Sequence, residues 1–422
     1  MVVFIFALPL LAAESNCEYT LAKSIQEAFA NNPSIKARQD SIDAARFKKK
    51  QARTNLLPTL STSYAYTHVS TRDYSPQGFP LTTEENYLWR ATLEQPVFEG
   101  FAVTNTIKLA GVDQDLRQIE LEIEKRNLAL KVKRAYFDIL RANRTLEVAS
   151  QAVETIRAHV NTASMFFEAG KIPADDLLEA EIRFANWQEE WIHAQNEVYS
   201  ARAIFNKLLA RPLETHFIIT DVLMYKPISN TKENYLEKAL NNRLEIKAID
   251  LSLRRAALEK QIVQSAYYPN VSLRTDYIKE GDKPWVQGSD FHKENNWLAS
   301  VVLTWCFWEW GKTYYSGREK QSLKKQLLHT RSALIDQISL EIKEALLALQ
   351  RADKNIHTIS KAVKLAKKNL RIKQERYQMQ ITTSTEVLDA LTLFSEAQNH
   401  YNNALYDHNL SKAKLVWALG DY

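Results

Sequence analysis

Cysteine, glycine and proline are all scarce in this chain. Two cysteines among 422 residues, Cys17 and Cys306, exclude a disulfide framework and a cysteine-rich zinc site. The nine histidines show no metal-ligand spacing, and no glycine-rich loop is present to cradle a phosphate. With only 9 Gly and 11 Pro, breakers are too few for many short elements, so loops are few and elements long. An excess of one charge is missing too, with 55 Lys+Arg against 50 Asp+Glu. The basic residues are spread along the chain, apart from short runs such as Lys48-Lys49-Lys50, whereas a nucleic-acid binder concentrates them in one stripe. No catalytic residue, cofactor, metal or nucleic-acid partner is therefore expected.

Long apolar runs are also absent, with one exception at the start. Met1 to Ala13 is apolar throughout and polarity begins at Glu14; this reads as a signal peptide over 1–13, with no Lys or Arg before its apolar stretch. Cys17 follows Glu14-Ser15-Asn16, not the small apolar residues that a lipoprotein signal needs, so acylation is not expected. Beyond residue 13 no run of 18 apolar residues exists. A membrane position would therefore require a barrel of strands.

What the chain does contain is a duplication. Ala28–Ala37 aligns with Ala239–Ala248 at an offset of 211, which also brings Ser41 to Ser252, Ala45 to Ala256, Pro58 to Pro269 and Tyr66 to Tyr277. Further on the offset is 210: Leu88 meets Leu298, Leu93 meets Leu303, Glu99 meets Glu309, Leu178 meets Leu388 and Ala180 meets Ala390. The expected organisation is one repeat over 14–210, an equatorial linker over 211–230 carrying Pro212 and Pro227, and a second repeat over 231–422.

Each repeat holds one very long helix. In the second, Leu328, Ile335, Ile342, Leu349, Ile356, Val363, Leu370 and Tyr377 recur every seven residues, accompanied by Ile338, Ala345, Ala352, Ile359 and Ala366. In the first, Val132, Ile139, Leu146, Val153, Val160 and Phe167 form one stripe and Leu128, Ala135, Ala142, Ala149, Ile156 and Ala163 the other. Seams of this length signal coiled coil, predicting helices over about 100–168 and 311–378. Their tips fall at 169–175 and 379–384, and return helices run over 174–209 and 384–418. Gly170 at a C-cap and Pro173 opening the next helix mark the first turn.

Between the helices the period changes from 3.6 to 2. Leu60, Thr62, Tyr64 and Tyr66 alternate with Ser61, Ser63, Ala65 and Thr67, and Tyr87, Trp89, Ala91 and Leu93 with Leu88, Arg90, Thr92 and Glu94. The second repeat sets Val271, Leu273, Thr275 and Tyr277 against Ser272, Arg274 and Asp276, then Trp297, Ala299, Val301, Leu303, Trp305 and Phe307 against Leu298, Ser300, Val302, Thr304 and Cys306. Strands are predicted at about 59–68, 86–98, 270–279 and 295–308. One apolar face, one largely polar face and aromatic ends (Trp89, Trp297, Trp305, Trp308, Trp310) fit a transmembrane barrel; a soluble two-hairpin sheet packed on helices would show the same alternation. Four strands cannot close a barrel without leaving edges in lipid, whereas three chains would supply twelve.

The fold class read from these patterns is mainly α with a small β part, built from a duplicated helix–strand–strand–helix unit. Its long coiled-coil helices would form an α-barrel, and four strands per chain would contribute to a 12-stranded trimeric transmembrane β-barrel. On Leu93–Gly100, on the tips Phe167–Ala180 and Tyr377–Ala390, and on the duplicated plan, the chain resembles the outer-membrane efflux protein family, the TolC-like channels. That resemblance implies a homotrimer in outer-membrane lipid with a long periplasmic extension. It also implies a gated exit duct for efflux pumps or type I secretion, meeting a periplasmic adaptor and an inner-membrane transporter, without chemistry of its own. A periplasmic coiled-coil adaptor and a structural scaffold are the alternatives; an adaptor would hold one hairpin flanked by compact β-domains.

Several residues follow as candidates. Glu386 and Asp389, three apart on one helix face, match the family's acidic mouth, and three copies would form a cation-attracting ring. Thr383-Ser384-Thr385-Glu386 also reads as a capping box. Asp176 and Glu179 are their first-repeat equivalents, in a first turn where acids favour the helix dipole, and Tyr377 completes the gate set. Gly170, Lys171, Ile172, Gln380, Ile381 and Thr382 form the tips, the adaptor-docking surface by resemblance. Two departures stand out: Gln380 replaces the family's usual glycine, and Cys306 stands where the first repeat has Pro96. Thr382 also stands where an arginine of the family's namesake helps latch the entrance, so a latch of that kind is not expected. Arg90, Glu94, Arg274 and Asp276 fall on the polar strand faces and would line the lumen.

Overall fold

The computed structural model describes residues 18–71, 73, 77, 83–225, 235–289 and 293–422; the expected signal segment, Cys17 and residues 226–230 of the expected linker lie outside them. In chain order the elements are β1 (Glu18–Tyr19), α1 (Leu21–Asn31), α2 (Pro33–Thr54), β2 (Thr59–His68), β3 (Glu85–Glu99), α3 (Ala102–Glu168), α4 (Ala174–Leu208) and β4 (Ile218–Ile219). There follow α5 (Tyr235–Asn242), α6 (Leu244–Gln264), β5 (Asn270–Gly281), β6 (Asn295–Thr304), α7 (Lys312–Gln378) and α8 (Ser384–Ala418). The fold is mainly helical with a small β part. α3 and α7 have 67 residues each, and α4 and α8 have 35 each.

The chain divides into two compact units, one of Met1–Arg38, Leu121–Leu244 and Leu334–Tyr422, the other of Gln39–Glu120 and Glu245–Ala333. The second unit carries an antiparallel sheet in the order β2-β3-β5-β6. Leu60 faces Leu93, Thr92 faces Asp276, and Tyr277 faces Trp297, so the two hairpins join through β3 and β5. The register slips between Pro96 and Phe98, where proline offers no N–H to the ladder. The alternation continues to Phe307 in the sequence, yet β6 stops at Thr304. Trp305, Phe307, Trp308 and Trp310 follow the strand and are all exposed.

At Gly100 the chain turns from β3 into α3 with φ +57, and a Cβ there would collide with the Ser265 carbonyl oxygen. Gly100 and Phe101 are both left-handed, and so are Trp310 and Gly311, 210 residues on. The same turn is thus made twice with its glycine in different places. Among the described residues no helix is long and apolar enough to cross a membrane.

In the first unit all four long helices end alike. Gly170 N–H donates to the Phe167 carbonyl and Lys171 N–H to Phe166; Gln380 and Ile381 repeat this with Tyr377 and Arg376. Ala210 with Arg211, and Gly420 with Asp421, do the same at the other ends. These are Schellman caps, which need one left-handed residue each, here Gly170, Ala210, Gln380 and Gly420. The unit's core holds Val132, Ala135, Tyr136 and Ile139 of α3, Phe205 of α4, and Ile342 and Leu349 of α7. The Tyr136 hydroxyl lies 2.9 Å from the Tyr19 carbonyl and 2.6 Å from that of Thr220, tying α3 to the parallel β1–β4 pair.

Candidate functional site

The tips of α3–α4 and α7–α8 meet around one apolar cluster. Ile156 of α3, Ala180 of α4, Leu370 of α7, and Leu388, Ala390 and Leu391 of α8 are buried together, with Phe184, Trp187 and Phe394 packed on them. Heptad positions of α3 and α7, Ile156 and Leu370, therefore meet apolar residues of α4 and α8 beside the expected gate residues.

Each of the four acidic candidates has a partner within the chain. Asp176 accepts from the backbone N–H of Ser384 at 3.5 Å, and Glu179 accepts from the Thr385 hydroxyl at 2.7 Å. Asp389 lies 3.5 Å from Arg183. These three contacts all join α4 to the N-terminal turns of α8. Glu386 instead takes the Lys373 ammonium and the Thr382 hydroxyl, and the hydrogen bond from Lys373, then that from Thr382, holds its carboxyl below the usual carboxylate range. The capping-box reading of Glu386 is corrected here: Thr383 is the N-cap residue of α8, but its side chain makes no cap hydrogen bond. One cross-helix partner, Lys373 of α7, and one in the tip turn, Thr382, hold the Glu386 carboxylate instead.

Tyr377 is 3 % exposed; its ring lies 4.6 Å from that of His159 and 5.7 Å from that of Phe166. Burial raises the pKa of its hydroxyl, and the nearby Asp176 adds to this. Gly170, Lys171, Gln380 and Ile381 are exposed at the turns, with Ile172 and Thr382 half-buried. Gln380 keeps φ +59 where the first tip has Gly170 at +67, so the turn survives without its glycine at a strain cost of about 1–2 kcal/mol.

In the other unit, the sheet brings Arg90, Glu94, Arg274 and Asp276 to one face. Glu94 stands opposite Arg274, while Asp276 stands opposite Thr92. Asp276 accepts from the Thr92 hydroxyl at 2.5 Å and from Arg274 Nε at 2.9 Å. The opposite face shows Leu60, Trp297, Val301 and Leu303, each more than 60 % exposed, which is the inverse of a water-soluble sheet. Among the described residues no His/Cys/Asp/Glu group could hold a metal ion.

Sequence reasoning missed Arg183, Lys373, His159, Ser384 and Thr385. A signal did exist. At the 210 offset Arg183 corresponds to Leu393, His159 to Asn369 and Lys373 to Ala163. The repeats thus differ at two positions that tie one hairpin to the other, Arg183 and His159, and at one that ties α7 to α8, Lys373.

The model of the outer membrane efflux protein family matches residues 24–211 and 235–421. Outer membrane protein TolC of Vibrio cholerae is 20% identical over 411 residues, covering 95% of this chain and 90% of that protein. Alkaline protease secretion protein AprF of Pseudomonas aeruginosa is 28% identical over 196 residues, 44% of this chain and 40% of its own. The crystal structure of the outer membrane protein VceC from Vibrio cholerae superposes with a TM-score of 0.79 at 17% identity, over 95% of this chain and 96% of that one. With both halves matched and the same fold throughout, this chain belongs to the outer membrane efflux protein family.

Proposed function

We propose that this chain is one third of a trimeric outer-membrane exit duct, a passive conduit with a gated periplasmic mouth serving an efflux or secretion system. The sheet is the observation that carries the reading. Its outer strands β2 and β6 have no further strand partner among the described residues. One face offers apolar and aromatic side chains to its surroundings while the other carries Arg90, Glu94, Arg274 and Asp276. Unpaired strand edges are not tolerated in lipid, and three copies of a four-stranded sheet close a barrel of twelve, wide enough for a lumen. Family membership, likeness to TolC and the secretion role in AprF's name support the direction of transport.

In this reading the exposed turns Gly170-Lys171-Ile172 and Gln380-Ile381-Thr382 receive a periplasmic adaptor, and an inner-membrane transporter supplies the energy. Asp176, Glu179, Glu386 and Asp389, with Tyr377 packed beneath them, form the mouth. Three copies of these carboxylates concentrate negative charge, which attracts cations and repels anions. Replacing Glu386 and Asp389 by Ala raises single-channel conductance in planar bilayers and weakens block by multivalent cations. Unchanged conductance and block would remove these residues from the gate. Extraction tests the whole proposal: a trimer that resists carbonate and needs detergent supports the duct, and a salt-soluble species supports a scaffold instead.

A further inference from the structure

His159 lies on α3 between the seam positions Ile156 and Val160, and none of the roles assigned above uses it. Its Nε2 lies 2.6 Å from the hydroxyl oxygen of Ser384, the first residue of α8, which is fully buried. Its ring packs against Tyr377 of α7. Ser384 in turn donates its backbone N–H to Asp176 of α4. One imidazole thus touches α7 and α8 directly and α4 through Ser384. It lines a groove of about 540 Å³ shared with Glu154, Thr155, Gln374 and Gln378.

We propose that His159 is a gating residue: its neutral imidazole, wedged between Tyr377 and Ser384, holds the two helical hairpins together at the tip, and protonation drives them apart. This deepens the duct proposal and rests on it. The groups facing His159 are Glu154 on α3 itself, Tyr377 and Gln374 on α7, Ser384 on α8, and Asp176 on α4 behind Ser384. Burial is the cause that acts on its basicity, drawing the pKa from 6.5 down to about 4. A cation there is disfavoured while the hairpins are packed and is favoured again once water reaches the ring.

The sign follows from linkage. A proton binds the parted state more tightly than the packed state, so parting is promoted as pH falls below the ordinary value of 6.5 and the effect is complete below about 4. The difference of 2.5 in pKa is a factor of about 300 per chain at most, since 10 raised to 2.5 is about 300. Carboxylates lie nearby as well, so the wild type is compared with His159→Gln, which keeps them all and can still hydrogen-bond Ser384.

Channel open probability is recorded in planar bilayers from pH 7.5 to 4.5 for both proteins. The expected result is a steep rise for the wild type and a much flatter curve for H159Q. Superimposable curves, with channels present in both, would overturn the latch and leave the duct standing. No channel activity in either would overturn the duct and the latch with it. If H159Q fails to assemble, hydrogen–deuterium exchange at the imidazole C2 position, read by mass spectrometry in the wild-type protein, reports the same property. A His159 midpoint well below that of a histidine in a short, fully hydrated peptide supports the latch, and an equal midpoint overturns it.

Discussion

Arg183→Ala tests whether ties between the hairpins hold the mouth closed. Arg183 of α4 and Asp389 of α8 lie 3.5 Å apart, with 38% and 59% of their side chains exposed, so water screens the pair. A partly exposed ion pair contributes about 0.2–1 kcal/mol. In the proposed trimer, three copies parting together would sum to about 0.6–3 kcal/mol, a shift of about 3- to 150-fold in the ratio of open to closed mouths. Single-channel recording at neutral pH measures this ratio directly. The variant is expected to open more often, with the larger effect at low ionic strength where screening is weak. Asp389→Ala removes the same pair, so the double variant should add little to either single change. Additive effects, or an open probability unchanged by R183A, would refute the role given to this contact.

Further outcomes follow from other places in the chain. Gln380→Gly should raise the thermal midpoint of the assembly, because relief of about 1–2 kcal/mol of left-handed strain exceeds the roughly 0.5–1 kcal/mol of added chain entropy. Gly170→Gln should lower it, since no atom lies within 4 Å of the new Cβ and only the backbone changes. Tyr136→Phe removes the hydroxyl between the Tyr19 and Thr220 carbonyls and should cost about 1–3 kcal/mol in denaturant unfolding. Gly100→Ala drives a methyl into the Ser265 carbonyl oxygen at a left-handed position, and its yield of membrane-inserted protein should fall well below wild type.

The parts legible in the sequence are those written locally and periodically. Heptads from Leu328 to Tyr377 show a helix because each side chain reports its own face, and the alternation from Leu60 to Tyr66 shows a strand for the same reason. The repeat offset carries the turns: Gly170 with Gln380, and Gly100–Phe101 with Trp310–Gly311, share left-handed backbone. Long-range partnerships have no such period. That β3 pairs with β5 depends on hydrogen bonds between segments far apart in the chain. The ties of Asp176, Glu179 and Asp389 to Ser384, Thr385 and Arg183 depend on the closeness of two tips that sequence spacing cannot express. Glu386 shows the limit most clearly, because a local capping pattern was available, yet its carboxylate goes to Lys373 on α7 and to Thr382 in the tip turn.

In the proposed duct one chain holds only part of a pore wall. Native mass spectrometry of the protein released from outer-membrane preparations in detergent tests it directly. The expected species is three chains with bound lipid, stable to dilution and lost when detergent is removed. A single chain that stays monodisperse in plain buffer would contradict the account.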